Sequence, residues 1–229
     1  MSLLFLDLNV TEKVSLKERK INMKVAILGA NGKAGSAILK EAKKRGLDVT
    51  AIVRDAAKIT DGTPVIEKDV YNLTTNDVKG FDVLVSALGF WGDVSEFTGS
   101  TQHLIDILTN TKTRLLVVGG AGSLFVNPEH TVRLSETPNF PEAFKPLATA
   151  MGKGLDLLEA AKGLNWTYIS PAADFDAEGP ATGSYVAAGE ELEADKDGKS
   201  YISYADYAIA MVDEIEKNAH PNQRFSVHQ

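Results

Sequence analysis

Residues 25–39 read VAILGANGKAGSAIL and decide the fold that the sequence predicts. The first four residues are apolar and include β-branched side chains, which is typical of a short buried strand. Three glycines at three-residue spacing follow, and an apolar pattern of helical period begins after them. A strand, a glycine turn and a helix in this order predict the phosphate-binding corner of a nucleotide-binding α/β domain.

Each glycine of this corner has its own expected role. Gly29 lets the chain turn off the end of the strand, Gly32 lets the backbone approach a pyrophosphate, and Gly35 lets the new helix pack on the sheet. The helix N-terminus adds free N–H groups and a partial positive charge. The spacing is G-x-x-G-x-x-G, not the G-x-G-x-x-G of many dehydrogenases, and it is not a Walker motif, so a purely structural turn is the alternative. The residues expected to bind a cofactor are Gly29, Ala30, Asn31, Gly32, Lys33, Ala34 and Gly35.

The composition narrows the classes of function. The chain has 229 residues, of which 44% are hydrophobic and 24% are charged, as in an ordinary globular protein. Its net charge of −7 argues against nucleic acid as a partner. Cysteine is absent, which excludes thiolate chemistry, and the four histidines lack metal-ligand spacing. No apolar run is long enough to span a membrane, so we expect a cytoplasmic monomer or homodimer that acts on a small molecule.

One domain is expected over residues 23–229, with a small substrate region at its C-terminal end. Residues 1–22 are interpreted as an N-terminal extension, either flexible or upstream of the natural start. Strands and helices then alternate, and the strands are apolar runs, which predicts an α/β fold with a Rossmann-type doubly wound parallel sheet. A helix over 141–161 is expected to break near Pro146, and Ser203 is expected to cap a helix over 204–217.

The carboxyl ends of the strands hold the remaining candidates, because ligands bind there in such sheets. Arg54 follows the second strand and Lys58 lies four residues later; two cations near the adenosine ribose favour NADP(H) over NAD(H), although Asp55 argues the other way. Asp69 and Val70 are expected to hold the adenine, with an exposed loop acid as the alternative. Small residues after the next strands leave room for a ribose and a flat nicotinamide ring: Ala87, Leu88, Gly89, Gly119, Gly120, Pro171 and Ala172.

With these motifs in hand, the sequence resembles the atypical short-chain dehydrogenase/reductase group, in the NAD(P)H-binding branch that contains NADH-flavin reductases and biliverdin reductase/flavin reductase. The resemblance covers residues 23–229. It implies a nicotinamide cofactor and hydride transfer, with a flavin as a possible substrate. The segments that carry it are 29–35 (GANGKAG), 53–58 (VRDAAK), 69–70 (DV), 165–172 (NWTYISPA) and, most specifically, 200–208 (SYISYADYA).

One helix departs from the usual pattern of that superfamily, which places a Tyr-x-x-x-Lys pair on it. Lys153 is present, but the residue four positions earlier is Thr149. The tyrosine that would protonate a carbonyl product is therefore missing from its place. Ser123 and Lys153 are the remaining polar candidates for catalysis, and a structural role is the alternative for Ser123.

The absence of the proton-donating tyrosine from this helix favours some hydride-transfer reactions over others. Reduction of a carbonyl needs an acid, whereas hydride transfer to a flavin or a quinone needs mainly alignment. We therefore expect an NAD(P)H-dependent reductase of a flat acceptor, on which Phe90 and Trp91 could stack, unless they serve as core packing. A non-catalytic NAD(P)-binding redox sensor explains the missing tyrosine equally well. An isomerase or epimerase needs an acid–base pair and is less favoured.

Overall fold

The computed structural model describes residues 23–90 and 92–229. The expected extension over residues 1–22 and the stacking candidate Trp91 lie outside the described residues. Ten strands are found in the described part of the chain. In chain order they are β1 (Lys24–Leu28), β2 (Asp48–Val53), β3 (Val65–Glu67), β4 (Val83–Ser86), β5 (Arg114–Val118), β6 (Trp166–Ser170), β7 (Asp174–Asp176), β8 (Val186–Ala188), β9 (Tyr201–Ser203) and β10 (Gln223–His228).

Eight of these strands form the central sheet, in the order β3-β2-β1-β4-β5-β6-β10-β8. All neighbours are parallel except β8 and β10, and the order reverses between β1 and β4. The apolar run of β1 lies in the middle of the sheet, and Val25, Ala26 and Ile27 are fully buried. The predicted Rossmann-type doubly wound fold is confirmed.

The expectation of a wholly parallel sheet needs a correction at one edge. β8 pairs antiparallel with β10, with Val186 opposite His228. A separate pair of short parallel strands, β7 and β9, lies outside the main sheet. These strands have only three residues each and mixed burial, so they lack the apolar run by which the other strands were predicted.

Helices cover both faces of the sheet, as a doubly wound fold requires. Helices α1 and α5 pack on one face and α3 and α4 on the other, so the hydrophobic core is divided between the two faces. No helix of the described residues combines the length and the apolar character that crossing a membrane would need. The helices are α1 (Lys33–Lys44), α2 (Thr75–Val78), α3 (Glu96–Leu108), α4 (Lys145–Ala160) and α5 (Tyr204–Lys217).

The predicted start of α5 is confirmed, and the predictions for α4 and α1 need correction. Ser203 caps α5 as expected, since its side chain accepts a hydrogen bond from the Asp206 N–H. Pro146 does not break a helix, because α4 begins at Lys145 and the proline lies in the first turn, where no N–H is needed. Helix α1 begins at Lys33, three residues earlier than its apolar pattern indicates, because the glycine corner itself supplies the first turn.

Candidate functional site

A cavity of about 510 Å³ lies along the carboxyl ends of the parallel strands, where the strand order reverses. Its volume is in the usual range of ligand pockets. The sheet order places the ends of β2 and β3 on one side of the cavity, β1 and β4 in the middle, and β5 and β6 on the other side. The predicted residues that line it are Gly29, Asn31, Gly32, Lys33, Ala34, Arg54, Asp69, Val70, Ala87, Leu88, Gly89, Phe90, Gly119, Gly120, Pro171 and Ala172.

The three glycines of the corner are required for different reasons. Gly29 has a φ of 80°, and a Cβ there would lie 2.7 Å from the Ala87 carbonyl oxygen. A Cβ at Gly35 would lie 2.2 Å from the Gly29 oxygen, so this glycine allows α1 to touch the turn. Gly32 has ordinary extended backbone (φ −75°), and the nearest atom to an added Cβ is 3.2 Å away. The fold therefore requires the first and third glycines, whereas an added Cβ at the second makes one tight contact, with the Gly29 oxygen, and otherwise faces the cavity.

The N-terminus of α1 opens into that space. Gly32 is its N-cap and has no side chain, so no cap occupies the amides of the first turn, which also lack partners within the helix. Such a helix end attracts anions. Lys33 lies at the rim, where its Nζ is 3.2 Å from Glu178 Oε1, and both side chains are largely exposed. The residues present therefore fit the pyrophosphate of a dinucleotide.

Arg54 lies on the side of the cavity formed by the ends of β2 and β3, where the sequence predicts an adenosine ribose. Arg54 is exposed and lines the cavity, and within the described residues it has no carboxylate partner. Asp55, which argued against a 2′-phosphate, instead caps a short 3₁₀ turn by accepting a hydrogen bond from Ala57 N at 3.1 Å. The Nζ of Lys58 lies 3.9 Å from Oδ2 of Asp55. Lys68, which was not predicted, lines the cavity and forms an ion pair with Asp77 at 2.7 Å.

The opposite side is held in shape by a buried tyrosine. A Cβ at Gly119 would lie 2.2 Å from Tyr168 Cε1, so only glycine fits above that ring. The Tyr168 hydroxyl accepts a hydrogen bond from Gly120 N at 3.1 Å. Burial raises the pKa of Tyr168 to about 12, so the phenol stays protonated at neutral pH. Gly119 and Gly120 are thereby fixed as a flat, small-residue wall of the cavity.

Comparison with known proteins agrees with this geometry. Residues 29–218 match the family described as NAD(P)H-binding. The chain belongs to the NAD(P)H-binding family. It is 50% identical over 208 residues to the uncharacterized protein YwnB of Bacillus subtilis. The aligned region covers 90% of this chain and 98% of YwnB.

Solved structures of similar proteins share the fold. A Streptococcus pneumoniae protein provisionally named an NADH-flavin reductase has 46% identity and a TM-score of 0.86, over 91% of this chain and 100% of that one. A Bacteroides thetaiotaomicron protein provisionally named an epimerase has 36% identity and a TM-score of 0.79, over 90% and 97%. This NAD(P)H-binding protein therefore has the oxidoreductase-like fold of an atypical short-chain dehydrogenase/reductase.

The two catalytic candidates of this NAD(P)H-binding protein do not line the cavity. Ser123 is buried behind the Gly119–Gly120 wall, where its Oγ accepts a hydrogen bond from Arg224 Nη1 at 3.3 Å. Lys153 is exposed on the outside of α4, in a separate depression that also holds Thr149. Their positions in the chain predicted that both residues lie near the reacting atoms. In the structure, neither residue lines the cavity.

Three of the predicted cofactor-binding residues also lie outside the lining of the cavity. Ala30 is buried in the core under the turn. Gly35 is covered by the contact of α1 with Gly29. Lys58 is directed toward Asp55. The first two support the corner from behind, and the third leaves Arg54 as the nearer cation to an adenosine ribose.

Several lining residues come from segments that the sequence did not assign to the site. Phe97 on α3 and Leu147 and Met151 on α4 have helical spacing that is equally typical of core positions, so no sequence signal separates the two roles. Phe175 and Tyr204 pack with ring centroids 3.9 Å apart. Burial raises the pKa of Tyr204, while Lys33 acts to lower it. Tyr204 lies in the segment that carried the resemblance most specifically, which was the one available signal.

Asp206, in that same segment, joins three distant parts of the chain. It is fully buried and accepts hydrogen bonds from Gly183 N at 2.8 Å, from Thr182 Oγ1 at 2.8 Å and from the Gln229 side chain. Burial acts to raise the pKa of Asp206, but the hydrogen bonds from Thr182 and Gly183 outweigh it and lower the pKa. An ionised carboxylate therefore fixes the start of α5, and with it Tyr204, beside the cavity.

Proposed function

We propose that the protein is an NAD(P)H-dependent reductase that transfers a hydride from the nicotinamide to a flat acceptor, a flavin or a quinone, with NADP(H) favoured over NAD(H). The proposal includes the expected location in the cytoplasm and a monomer or homodimer as the active form. The nucleotide, when bound, supplies the hydride. The chain's own residues bind its phosphates, hold the wall against which a ring lies and exclude water from it.

The observation that carries the proposal is the contrast between the two ends of one cavity. At the glycine corner, the open N-terminus of α1 and the space above Gly32 suit a pyrophosphate. The lining of the cavity also includes Leu147 and Met151, near Gly120, and this is where the proposal places the second ring. No acid–base pair lines that end within the described residues, which favours an acceptor that needs alignment and draws its proton from solvent.

The preference for NADP(H) rests on Arg54. Its guanidinium has no carboxylate partner in the part of the chain that the structure describes, and it lines the adenosine side. An arginine at this position accommodates a 2′-phosphate, whereas a carboxylate binds the 2′-hydroxyl of NAD. The carboxylate of Asp55 is engaged by the Ala57 amide, so it is less available to a ribose.

A redox sensor that binds the nucleotide without turnover is the second candidate. The absence of an acid–base pair at that end, in the part of the chain that the structure describes, supports it as well. A sensor, however, does not need a cavity that extends to Leu147 and Met151. An epimerase, the provisional name of one structural neighbour, needs an acid–base pair beside the substrate and is less favoured by the lining of the cavity.

Steady-state oxidation of NADPH and NADH in the presence of FMN or menadione tests the proposal. We expect turnover that is first order in enzyme and is lost in the Gly32→Val variant, which keeps the fold. Tight binding of the nucleotide without turnover of either acceptor would instead support the sensor. No affinity for either nucleotide would reject both.

A further inference from the structure

The end of the cavity that would hold the acceptor is apolar. The segments after β4, β5 and β6, together with α3 and α4, contribute the lining side chains Phe90, Phe97, Ala121, Leu147, Met151 and Phe175. Tyr204 is the one ionisable side chain at this end within the described residues, and its phenol is neutral at physiological pH. Such a surface suits a flat, uncharged ring, because burial of apolar area is favourable and aromatic faces stack.

Three cations line the cavity within the described residues, and the charge of one of them, Lys33, acts on Tyr204. Lys33 is at the glycine corner, and Arg54 and Lys68 are at the adenosine side. Lys33 is paired with Glu178 and Lys68 with Asp77. These are the positions at which a dinucleotide places its own phosphates, so they are not available to a phosphate on the acceptor.

Arg133 and Arg224 act on Tyr168 behind the wall, but they are paired with Asp156 and Glu190 and do not line the cavity. Two lysines outside the cavity belong to a different surface. Lys145 and Lys153 line a separate depression between the N-terminal parts of α3 and α4, together with Val94 and Thr98. Lys145 is paired with Glu142 at 2.5 Å. Neither lysine lines the cavity in which the acceptor would lie.

We propose that the acceptor is an uncharged, lipophilic quinone and not a phosphorylated flavin. This inference rests on the proposed reductase function and specifies its substrate class. A phosphate dianion at the apolar end would lose its hydration without gaining a cation that the dinucleotide leaves free, which is unfavourable. The net charge of −7 also repels anions wherever no local cation offsets it.

The reaction balances without a further reactant. The C4–H bond of the dihydronicotinamide breaks, and its hydrogen leaves with both electrons to form an O–H bond at one quinone oxygen. The other oxygen takes a proton from solvent, and the products are the hydroquinone and the oxidised nucleotide. The quinone is the oxidant and the reduced nucleotide is the reductant.

Two matched pairs of acceptors test the charge preference in turnover. Naphthoquinone is compared with naphthoquinone sulfonate, and riboflavin with FMN, each with NADPH at low ionic strength. We expect kcat/KM to be at least about tenfold higher for the neutral member of each pair, and highest for naphthoquinone. The sulfonate makes a quinone a stronger oxidant, so slower reduction of the sulfonate reflects binding and not intrinsic reactivity.

A binding measurement gives a second readout that does not depend on turnover. Quenching of flavin fluorescence by the NADP⁺-loaded protein gives dissociation constants for riboflavin and FMN, which share one ring system. We expect FMN to bind at least about tenfold more weakly. Met151→Lys adds a cation at the apolar end and should shift the FMN-to-riboflavin preference toward FMN by about tenfold. Lys145→Ala, in the outer depression, should leave both constants within about twofold.

The outcomes separate this inference from the proposed function. Reduction of FMN as fast as riboflavin, or equally tight binding of FMN, overturns the quinone assignment while the reductase stands. A loss of FMN binding in Lys145→Ala also overturns it, since the outer depression would then bind the phosphate. No turnover of any of the four acceptors by protein that binds NADPH rejects the reductase, and the quinone assignment with it.

Discussion

The two ends of the cavity are built in different ways. The glycine corner is a continuous stretch, residues 29–35, in which the geometry of the turn requires glycine at positions 29 and 35. The acceptor end collects residues from five separated parts of the chain, around positions 90, 120, 147–151, 171–175 and 204. Buried polar contacts hold these parts together, in particular those of Tyr168 with Gly120 and of Asp206 with Thr182 and Gly183.

This difference predicts different consequences of mutation. At the corner, a side chain that fills the open space should remove nucleotide binding and leave the fold intact. At the acceptor end, the loss of a buried contact should first appear in the free energy of unfolding, because several segments depend on it. Substitutions on the outer surface of the same helices should change neither nucleotide affinity nor the free energy of unfolding.

Gly32→Val is expected to have the largest effect. Its side chain would occupy the space above the helix N-terminus, and we expect NADPH affinity to fall at least about 1,000-fold, which is about 4 kcal/mol. The backbone of Gly32 is extended, a conformation that valine adopts readily. The free energy of unfolding should therefore change by no more than about 1 kcal/mol. Calorimetric titration and urea unfolding measure the two quantities.

Gly35→Ala is the matched control for that variant. Its Cβ would lie 2.2 Å from the Gly29 oxygen, so α1 must move away from the turn. We expect a clear loss of stability in urea together with a loss of binding. If Gly32→Val bound NADPH normally, or if it were as unstable as Gly35→Ala, the corner would not be divided into binding and structural glycines.

Asp206→Asn should have the next largest effect, on stability. The amide would retain one acceptor oxygen and place an NH₂ group against the N–H donors of Thr182 and Gly183. Loss of hydrogen bonds to a buried carboxylate is expected to lower the free energy of unfolding by about 2–3 kcal/mol. Nucleotide affinity measured well below the unfolding transition should change much less, since Asp206 does not line the cavity.

The pH dependence of this difference has a definite sign. The pKa of Asp206 is lowered in the folded protein, so its contribution to stability is fully present above the unfolded pKa of about 3.9 and is lost as the pH falls through the folded value. The stability advantage of the wild type over Asp206→Asn should thus be constant near neutral pH and should shrink below about pH 4. An advantage that increased on acidification would contradict the ionised state of Asp206.

The sequence predicted the corner well because its information is local. A strand, three glycines and a helix identify Gly29, Gly32 and Gly35, and the structure gives physical reasons for the first and third in their close contacts. The central strands were also predictable, since a parallel strand covered on both faces is a continuous apolar run. β5, in which a run of four apolar residues follows Arg114, is an example.

The acceptor end was less predictable because its residues meet only in the folded chain. Leu147 and Met151 read as an ordinary apolar helix face, and nothing in the sequence distinguishes a face that lines a cavity from one that packs in a core. Lys153 and Ser123 were predicted from their positions in the chain. In the structure Lys153 lies in the outer depression on α4, and the Ser123 hydroxyl is buried, where it accepts a hydrogen bond from Arg224. The antiparallel pairing of β8 with β10 was not predicted, because β8 is short and partly exposed.

Arg54→Glu should have a smaller effect that is specific to one nucleotide. It removes a cation from the adenosine side and adds a like charge, so the affinity for NADPH should fall at least about tenfold more than that for NADH. Lys58→Glu is the matched control, because Lys58 lies against Asp55 and does not line the cavity; its effect should be under about threefold. Equal losses for NADPH and NADH in Arg54→Glu would remove Arg54 from recognition of the 2′-phosphate.

Lys153→Ala should have the smallest effect, and it tests the absence of acid–base chemistry at the acceptor end. In enzymes with a Tyr-x-x-x-Lys pair, the lysine lowers the pKa of the tyrosine that donates the proton. In this chain Thr149 takes the place of that tyrosine, and Lys153 is exposed in the outer depression. We therefore expect kcat/KM for quinone reduction to stay within about twofold, with an unchanged pH profile. A loss above about tenfold, or a displaced pH profile, would mean that Lys153 reaches the reacting atoms. The contrast between a charged binding end and an acceptor end without an acid–base pair would then no longer hold.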